Sequence, residues 1–286
     1  MKTKNMLMLL ALLVIFISGC VDQKKEITID EPGNISSYEF DVFLDEWDNK
    51  TPENTTTYYI QENKIEVQAV HLVINSNKLE IFPPDSLGGG SEKDPIKNFV
   101  LLVEPANETV ASPETFMRLS NGNNVSYKNY TLTQDVSMGM KVINLEFEEN
   151  VTGFIAYTLD TPGTQSFTFV KPDSEFIRVV LPEGYVTGNR VFGIARPAPS
   201  NTTFDEKGRQ NLLWISSKMG EREEAIQVKY YIESAPIYFF AAIVALLFGV
   251  AVVLSRYSRS RKELESVRGI FELEKEYEKK GQRKKK

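Results

Sequence analysis

Most of this chain repeats with a period of two. In residues 65–74 (IEVQAVHLVI) apolar side chains first alternate with polar ones and then occupy both faces. Ile143, Leu145 and Phe147 point one way from an extended backbone; Asn144, Glu146 and Glu148 point the other. Residues 151–159 (VTGFIAYTL) follow directly after Glu149-Asn150, which predicts a hairpin with Asn150 at its tip. Residues 99–103 (FVLLV) are an apolar run of strand length, and Ile177, Val179 and Leu181 share one face ahead of Pro182. Ile226, Val228, Tyr230 and Ile232 line one face of a last strand, opposite Gln227, Lys229 and Glu233. Thr161-Pro162-Gly163, Lys171-Pro172-Asp173, Pro182-Glu183-Gly184 and Asp205-Glu206-Lys207-Gly208 punctuate these runs with turn chemistry. Short strands divided by such turns predict a mainly β protein built as a β-sandwich. No helical period stands out before residue 236. The β-rich segment is long enough for two subdomains, with a divide expected near 161–174.

Two apolar runs break the alternation. Residues 6–17 form the first, preceded by Lys2 and Lys4 and followed by Ser18, Gly19 and Cys20. As a helix it reaches about 18 Å, short of the roughly 30 Å hydrocarbon core, so it suits a signal peptide better than a span. Residues 1–19 are therefore expected to be removed, leaving Cys20, the only cysteine, as a lipidated N-terminus. An uncleaved signal anchor is the alternative. The second run, 237–254 (IYFFAAIVALLFGVAVVL), has no charge and spans about 27 Å as a helix. Pro236 opens it, and Tyr238 and Tyr257 lie near its ends. Arg256, Arg259, Arg261 and Lys262 follow at once, which predicts a single transmembrane helix over 236–255 with residues 256–286 in the cytoplasm. In that basic tail Leu264, Val267 and Phe271 recur at helical spacing, so the expected helix is partly amphipathic.

Residues 20–235 are then expected outside the cell. Eight Asn-x-Ser/Thr sequons, at Asn34, Asn49, Asn54, Asn107, Asn124, Asn129, Asn150 and Asn201, all fall in this segment. Chance would give about three, so a glycosylated surface is expected. Charge divides at the same borders. The whole chain carries −6 and the tail from residue 256 carries +6, which with Lys2 and Lys4 leaves −14 for the exterior. An acidic exterior disfavours nucleic acid as a partner, whereas the basic tail suits an anionic inner leaflet.

Candidate chemistry is sparse. His71 is the only histidine, on a strand face with Ile65, Val67, Ala69 and Val73, as a packed core residue would be. HExxH and GxSxG are absent, and Gly88-Gly89-Gly90-Ser91 lacks the Gly-Lys-Ser/Thr ending of a phosphate loop. Asp45, Glu46, Asp48 and Glu53 could bind Ca²⁺, but their spacing is not that of an EF-hand, and a solvated acidic loop is expected. Trp47, Tyr58 and Tyr59 read as core aromatics ahead of a binding face. No catalytic residue, metal ligand or cofactor is expected.

The segments 179–184 (VVLPEG), 211–215 (NLLWI) and 226–231 (IQVKYY) run into the membrane helix and a basic, Glu-rich tail. With the Ile-Ser-Gly-Cys20 lipobox, the chain resembles an uncharacterised archaeal family of singly spanning membrane proteins, the domain-of-unknown-function family 5803. The likeness covers both ends and roughly the last hundred residues, and it implies no functional residue and no activity. The expected role is a non-enzymatic binding, scaffold or envelope component that meets membrane lipid and an unidentified membrane or envelope protein. An accessory or sensory subunit working through the tail is the alternative, with a surface hydrolase behind it.

Overall fold

The computed structural model describes residues 25–29, 33–44, 51–63, 65–84, 96–122, 129–137, 140–220 and 224–283. The chain forms two compact units, a β unit ending at Ile232 and a helical unit from Glu233 onward. The strands of the β unit begin with β1 (Lys25–Glu26), β2 (Thr55–Ile60), β3 (Glu66–Ile81) and β4 (Lys97–Pro105). A short helix, α1 (Pro113–Ser120), precedes β5 (Tyr130–Ser137), β6 (Met140–Asp160), β7 (Ser166–Val170) and β8 (Phe176–Val180). Then come β9 (Tyr185–Val186), β10 (Ala195–Arg196), β11 (Asn201–Phe204), β12 (Gln210–Ile215), β13 (Ala225–Lys229) and β14 (Tyr231–Ile232).

Two long strands organise the unit. β3 and β6 pair antiparallel from Glu66↔Asp160 to Ile81↔Ile143. At 21 residues β6 is long enough to take two partners end to end on its other edge. β5 covers its first part, from Met140 to Phe147, and β4 its second, from Val151 to Thr158. The large sheet runs β1-β5-β6-β3-β2-β8-β12-β11, with β4 alongside β6. Its β2–β8 pair is parallel, and the other pairs are antiparallel. A three-stranded sheet, β10-β13-β7, and a two-stranded one, β14-β9, complete the described strands.

The hairpin expected at Glu149-Asn150 does not form. The chain passes straight through this point as one strand, and the register of β3 and β6 shifts there instead, between Val73 and Lys78. A tight hairpin needs positive φ at its central residues, usually supplied by glycine, and Glu149-Asn150 carries none. The extra residues are absorbed as a bulge. Gly153, just beyond it, has φ +152° and lies against β4 so closely that a Cβ would sit 2.1 Å from the Leu102 carbonyl oxygen.

Both faces of the large sheet are covered, which is why β2 and β8 are buried at every position. On one face Tyr58, Ile177, Val179, Leu212 and Trp214 pack with Phe167, Phe169, Ile226 and Val228 of the small sheet. This is the expected sandwich, two sheets closing on a shared core. On the other face Tyr59, Leu72, Leu102, Phe154 and Val180 pack against Tyr38 and against Phe116 and Leu119 of α1. Neighbours such as Tyr58 and Tyr59, or Val179 and Val180, therefore serve opposite cores, as period two requires. The expected divide near 161–174 is not a boundary in this packing, because β7 lies within it and sends Phe167 and Phe169 into the main core.

α1 was not expected. Its signals are local: the Ser112 hydroxyl caps it by accepting from the Thr115 amide at 3.3 Å, Pro113 begins it and Glu114 occupies its first turn. Arg118 then ties it to β4 through two hydrogen bonds to Glu104, at 2.7 and 2.6 Å.

The helical unit is one 49-residue helix, α2 (Ala235–Arg283). At about 1.5 Å per residue it is roughly 74 Å long, far more than a bilayer core. Its apolar part is fully exposed and is long and apolar enough to cross a membrane. Past that part the helix continues without a break, supported by Arg261–Glu265 at 3.0 Å and Arg268–Glu272 at 3.1 Å, each pair four residues apart. Leu264, Val267 and Phe271 remain exposed along it.

Candidate functional site

The β unit carries an open groove of about 560 Å³ at the Ile60 end of β2. Its floor includes Tyr59, Gln68 and Val180, and its walls include Glu39, Lys207 and Arg209. The walls come from chain segments far apart in sequence. Residues 205–208 form a turn in which Asp205 Oδ1 accepts from the amides of Lys207 at 3.0 Å and Arg209 at 2.8 Å, with Gly208 at φ +73°. That turn joins β11 to β12 and aims Arg209 at Glu39.

Arg209 donates from Nη1 and Nη2 to the two Glu39 oxygens at 3.0 and 2.7 Å, and from Nε to Asp205 at 2.8 Å. Lys207 adds a bond to Glu39 at 2.8 Å. The Arg209 guanidinium also lies 5.8 Å from the centre of the Tyr59 ring. The hydrogen bonds from Arg209 hold the Glu39 carboxyl below its ordinary range, against the opposing effect of burial. Burial alone would make Arg209 less basic, but its bonds to Glu39 and Asp205 outweigh that and make it more basic than usual.

A second clamp lies alongside. Arg178, in the otherwise apolar β8, donates to Asp41 at 2.8 Å and stands 5.2 Å over the Phe43 ring. Tyr38 reaches the Asn98 carbonyl and lies 3.0 Å from the Thr158 hydroxyl. The segment 38–43 is thus strapped across the sheet by Tyr38 and two arginines, and its Glu39 lines the groove. These residues were not singled out from sequence. One signal was legible: a lone arginine inside FIRVV must either reach solvent or find a carboxylate.

The sole histidine belongs to a buried network. His71 Nδ1 lies 2.9 Å from Thr56 Oγ1, and its Nε2 lies 2.7 Å from the Tyr157 hydroxyl. Thr56 Oγ1 lies 2.6 Å from Ser174 Oγ. Burial pushes the His71 pKa down to about 3, so the ring is neutral and serves as a hydrogen-bonding spacer in the core. The same burial holds the Tyr157 phenol protonated. Tyr58 and Tyr59 are core residues, as expected.

The sequons fare differently from one another. Asn34, Asn107, Asn129, Asn150 and Asn201 are exposed, whereas Asn54 is half-buried and its Oδ1 accepts from the Ile74 amide at 2.7 Å. Cys20, Asn49, Asn124, Trp47, the acidic residues Asp45, Glu46 and Asp48, and the glycine-rich stretch around Gly89 lie outside the described residues. Among the described residues no group of three or more His, Cys, Asp or Glu is placed to hold a metal ion.

Fold and sites together define a mainly β protein, a large mixed sheet covered on one face by a small sheet and on the other by α1 and the 38–43 strap, whose chain continues into one helix of membrane-spanning length. The chain belongs to the family of unknown function DUF5803, whose model matches residues 52–276, from just before β2 to within the last turns of α2. No curated protein and no solved structure matches it.

Proposed function

We propose that this is a cell-surface protein of archaeal type, lipidated at Cys20, N-glycosylated on its exterior and spanning the membrane once with its basic tail inside. It acts by binding or scaffolding within the envelope and catalyses no reaction. The observation that carries this reading is the clamped groove. Its strongest charges, Glu39, Lys207 and Arg209, are already committed to one another, which holds a rigid polar surface in place. Such a surface suits recognition of a polar partner. Hydrolysis by a carboxylate pair needs acids free to exchange protons, and Glu39 is bound to two cations.

The experiment is crosslinking in native membranes, with neighbours identified by mass spectrometry, for the wild type and Arg209→Ala. A defined partner that disappears with the variant supports the groove as its binding surface. Identical neighbours for both proteins count against it.

The unbroken course of α2 favours a second reading, an accessory subunit that couples an outside event to a partner through its tail. Leu264, Val267 and Phe271 stay exposed on a helix continuous with the span. Deleting residues 259–286 separates the two readings. An unchanged complex would leave the tail without a coupling role.

A further inference from the structure

Not every charge in the groove is consumed by its clamp. Lys207 and Arg209 bring two positive charges, and Glu39 and Asp205 two negative ones, so the clamp is neutral within itself. Two more carboxylates, Glu62 and Glu183, line the same groove, and both are exposed. Among the described residues neither has an ion pair or a side-chain hydrogen bond.

Local structure brings these two glutamates to one end of the sheet. β2 and β8 run parallel, and their last pair is Tyr59↔Val180. Glu62 lies three residues past Tyr59, and Glu183 three past Val180, so each sits on the turn by which its chain leaves the sheet. The first turn is held by Asn63, whose Oδ1 accepts from the amides of Ile65 at 3.0 Å and Glu66 at 3.2 Å. The second is closed by the Tyr185 amide, which donates to the Pro182 carbonyl oxygen at 3.1 Å, with Gly184 at φ +73°. Gln68, on the floor of the groove, also has no side-chain hydrogen bond among the described residues.

We propose that the groove takes an extended, lysine- or arginine-bearing segment of a partner protein, with Glu62 and Glu183 meeting its positive charge. This rests on the binding surface proposed above and gives its partner a charge. A cation entering the groove meets two unpaired carboxylates, while both described cations that line it, Lys207 and Arg209, are already bonded to Glu39. An anion would meet the reverse. The acidic exterior steers the same kind of partner toward the site.

Size argues for a length of chain over a lone ion. About 560 Å³ is far more than an amine or a metal ion fills, and no group of three metal-ligating residues is found among the described residues. The Gln68 amide offers one acceptor and two donors to a peptide backbone, and Val180 and Pro182 line the groove beneath the methylene stem of a lysine or arginine. Glu62 and Glu183 are both exposed on turns, with no difference in surroundings to make one an acid and the other a base, so they act as fixed charges.

The probe for this site is a fluorescein-labelled octalysine peptide, titrated by anisotropy into the full-length protein in a neutral detergent. Octalysine should bind the wild type, more weakly as salt is raised, and octaglutamate should not bind. Glu62→Gln/Glu183→Gln should weaken octalysine about five- to tenfold, because two exposed charge contacts are lost. Glu108→Gln/Glu175→Gln removes the same charge from exposed residues that do not line the groove, and should weaken it less than about twofold. Equal weakening by the two pairs would assign the binding to the acidic exterior at large and overturn the site. Failure of octalysine to bind, or preference for octaglutamate, would overturn the cationic partner. The groove glutamates are exposed and unpaired among the described residues, so the thermal midpoint of their double variant should match that of the wild type.

Crosslinking in native membranes separates this inference from the binding surface beneath it. A neighbour lost with Arg209→Ala but kept by Glu62→Gln/Glu183→Gln would overturn the cationic partner and leave the groove as a binding surface. A neighbour kept by both variants would overturn the binding surface itself. The expected neighbour is lost with both and is joined to the groove through a lysine- or arginine-bearing segment. One joined through an acidic or uncharged segment, of another protein or of a second copy of this chain, would overturn the proposed charge.

Discussion

Arg209 and Glu39 are 170 residues apart in sequence, yet two guanidinium nitrogens of one hold both carboxylate oxygens of the other, at 3.0 and 2.7 Å. The pair closes the groove wall by pinning the 38–43 strap to the β11–β12 turn. Glu39 is nearly half exposed, so Glu39→Gln should cost only about 0.5–1 kcal/mol. Its carboxyl is held below the ordinary 4.5 by the bond from Arg209. A depressed carboxylate adds stability above its unfolded pKa and loses it as pH falls through the folded value. The stability gap between wild type and variant should therefore narrow as the pH falls below the ordinary carboxylate range, in urea unfolding of detergent-solubilised protein. A gap that does not change with pH would remove Glu39 from the groove's electrostatics.

His71 gives a pH dependence of the same sign over a higher range. Its pKa is about 3 when folded and 6.5 as the ordinary value, because burial disfavours the charged ring. Between these values the unfolded chain binds a proton that the folded chain refuses, so stability rises with pH and falls on acidification. The expected slope from this one residue is up to about 1.4 kcal/mol per pH unit below 6.5. Unfolding midpoints measured stepwise from neutral pH downward should begin to drop before the carboxylates titrate. A flat profile down to about pH 5 would mean that the ring is charged or solvated in the folded protein.

Gly153→Ala should be among the most damaging small changes in the β unit. The new Cβ would meet the Leu102 carbonyl oxygen at 2.1 Å and Val103 Cα at 2.7 Å, at a φ of +152° that L side chains rarely adopt. Backbone atoms cannot move aside as a flexible side chain can, so β4 would have to separate from β6. A loss of about 2–4 kcal/mol is expected, read as a lowered urea midpoint and faster amide exchange along β4. Exchange in β4 no faster than in the wild type would show that the contact relaxes elsewhere.

Cys20→Ser should leave the protein in the membrane. A helix of membrane-spanning length holds far more firmly than one or two lipid chains, so retention does not depend on the lipid. The variant should instead keep its first nineteen residues or lose its lipid adduct, seen as a shift in intact mass. Release of the variant into the soluble fraction would mean that α2 does not span.

Much of this protein is written in local pattern. The alternation within residues 65–74 and 176–181 and the short apolar run at 99–103 mark strands from neighbouring residues, and an uncharged run of eighteen residues at 237–254 can only be a helix exposed to lipid or a buried one. The cap of α1 was equally local, in Ser112, Pro113 and Glu114, but eight residues between two strands show too few turns for a 3.6 period to stand out.

Partners across the fold are another matter. That β6 passes through Glu149-Asn150 without turning was decided by β3, whose length lets it pair on both sides of the bulge. That Arg178 and Arg209 are clamps, and not surface charges, was decided by where the 38–43 strap crosses β8 and β12. Asn54 and Asn107 carry the same tripeptide signal, yet one accepts a backbone hydrogen bond beside a buried histidine and the other stands on a turn in solvent. Sequence alone determined the class of protein and its two kinds of secondary structure, because those follow from neighbouring residues. Tertiary structure alone decided which charges are paired and which sequon asparagine is tied into the sheet, because those depend on contacts between residues as much as 170 positions apart.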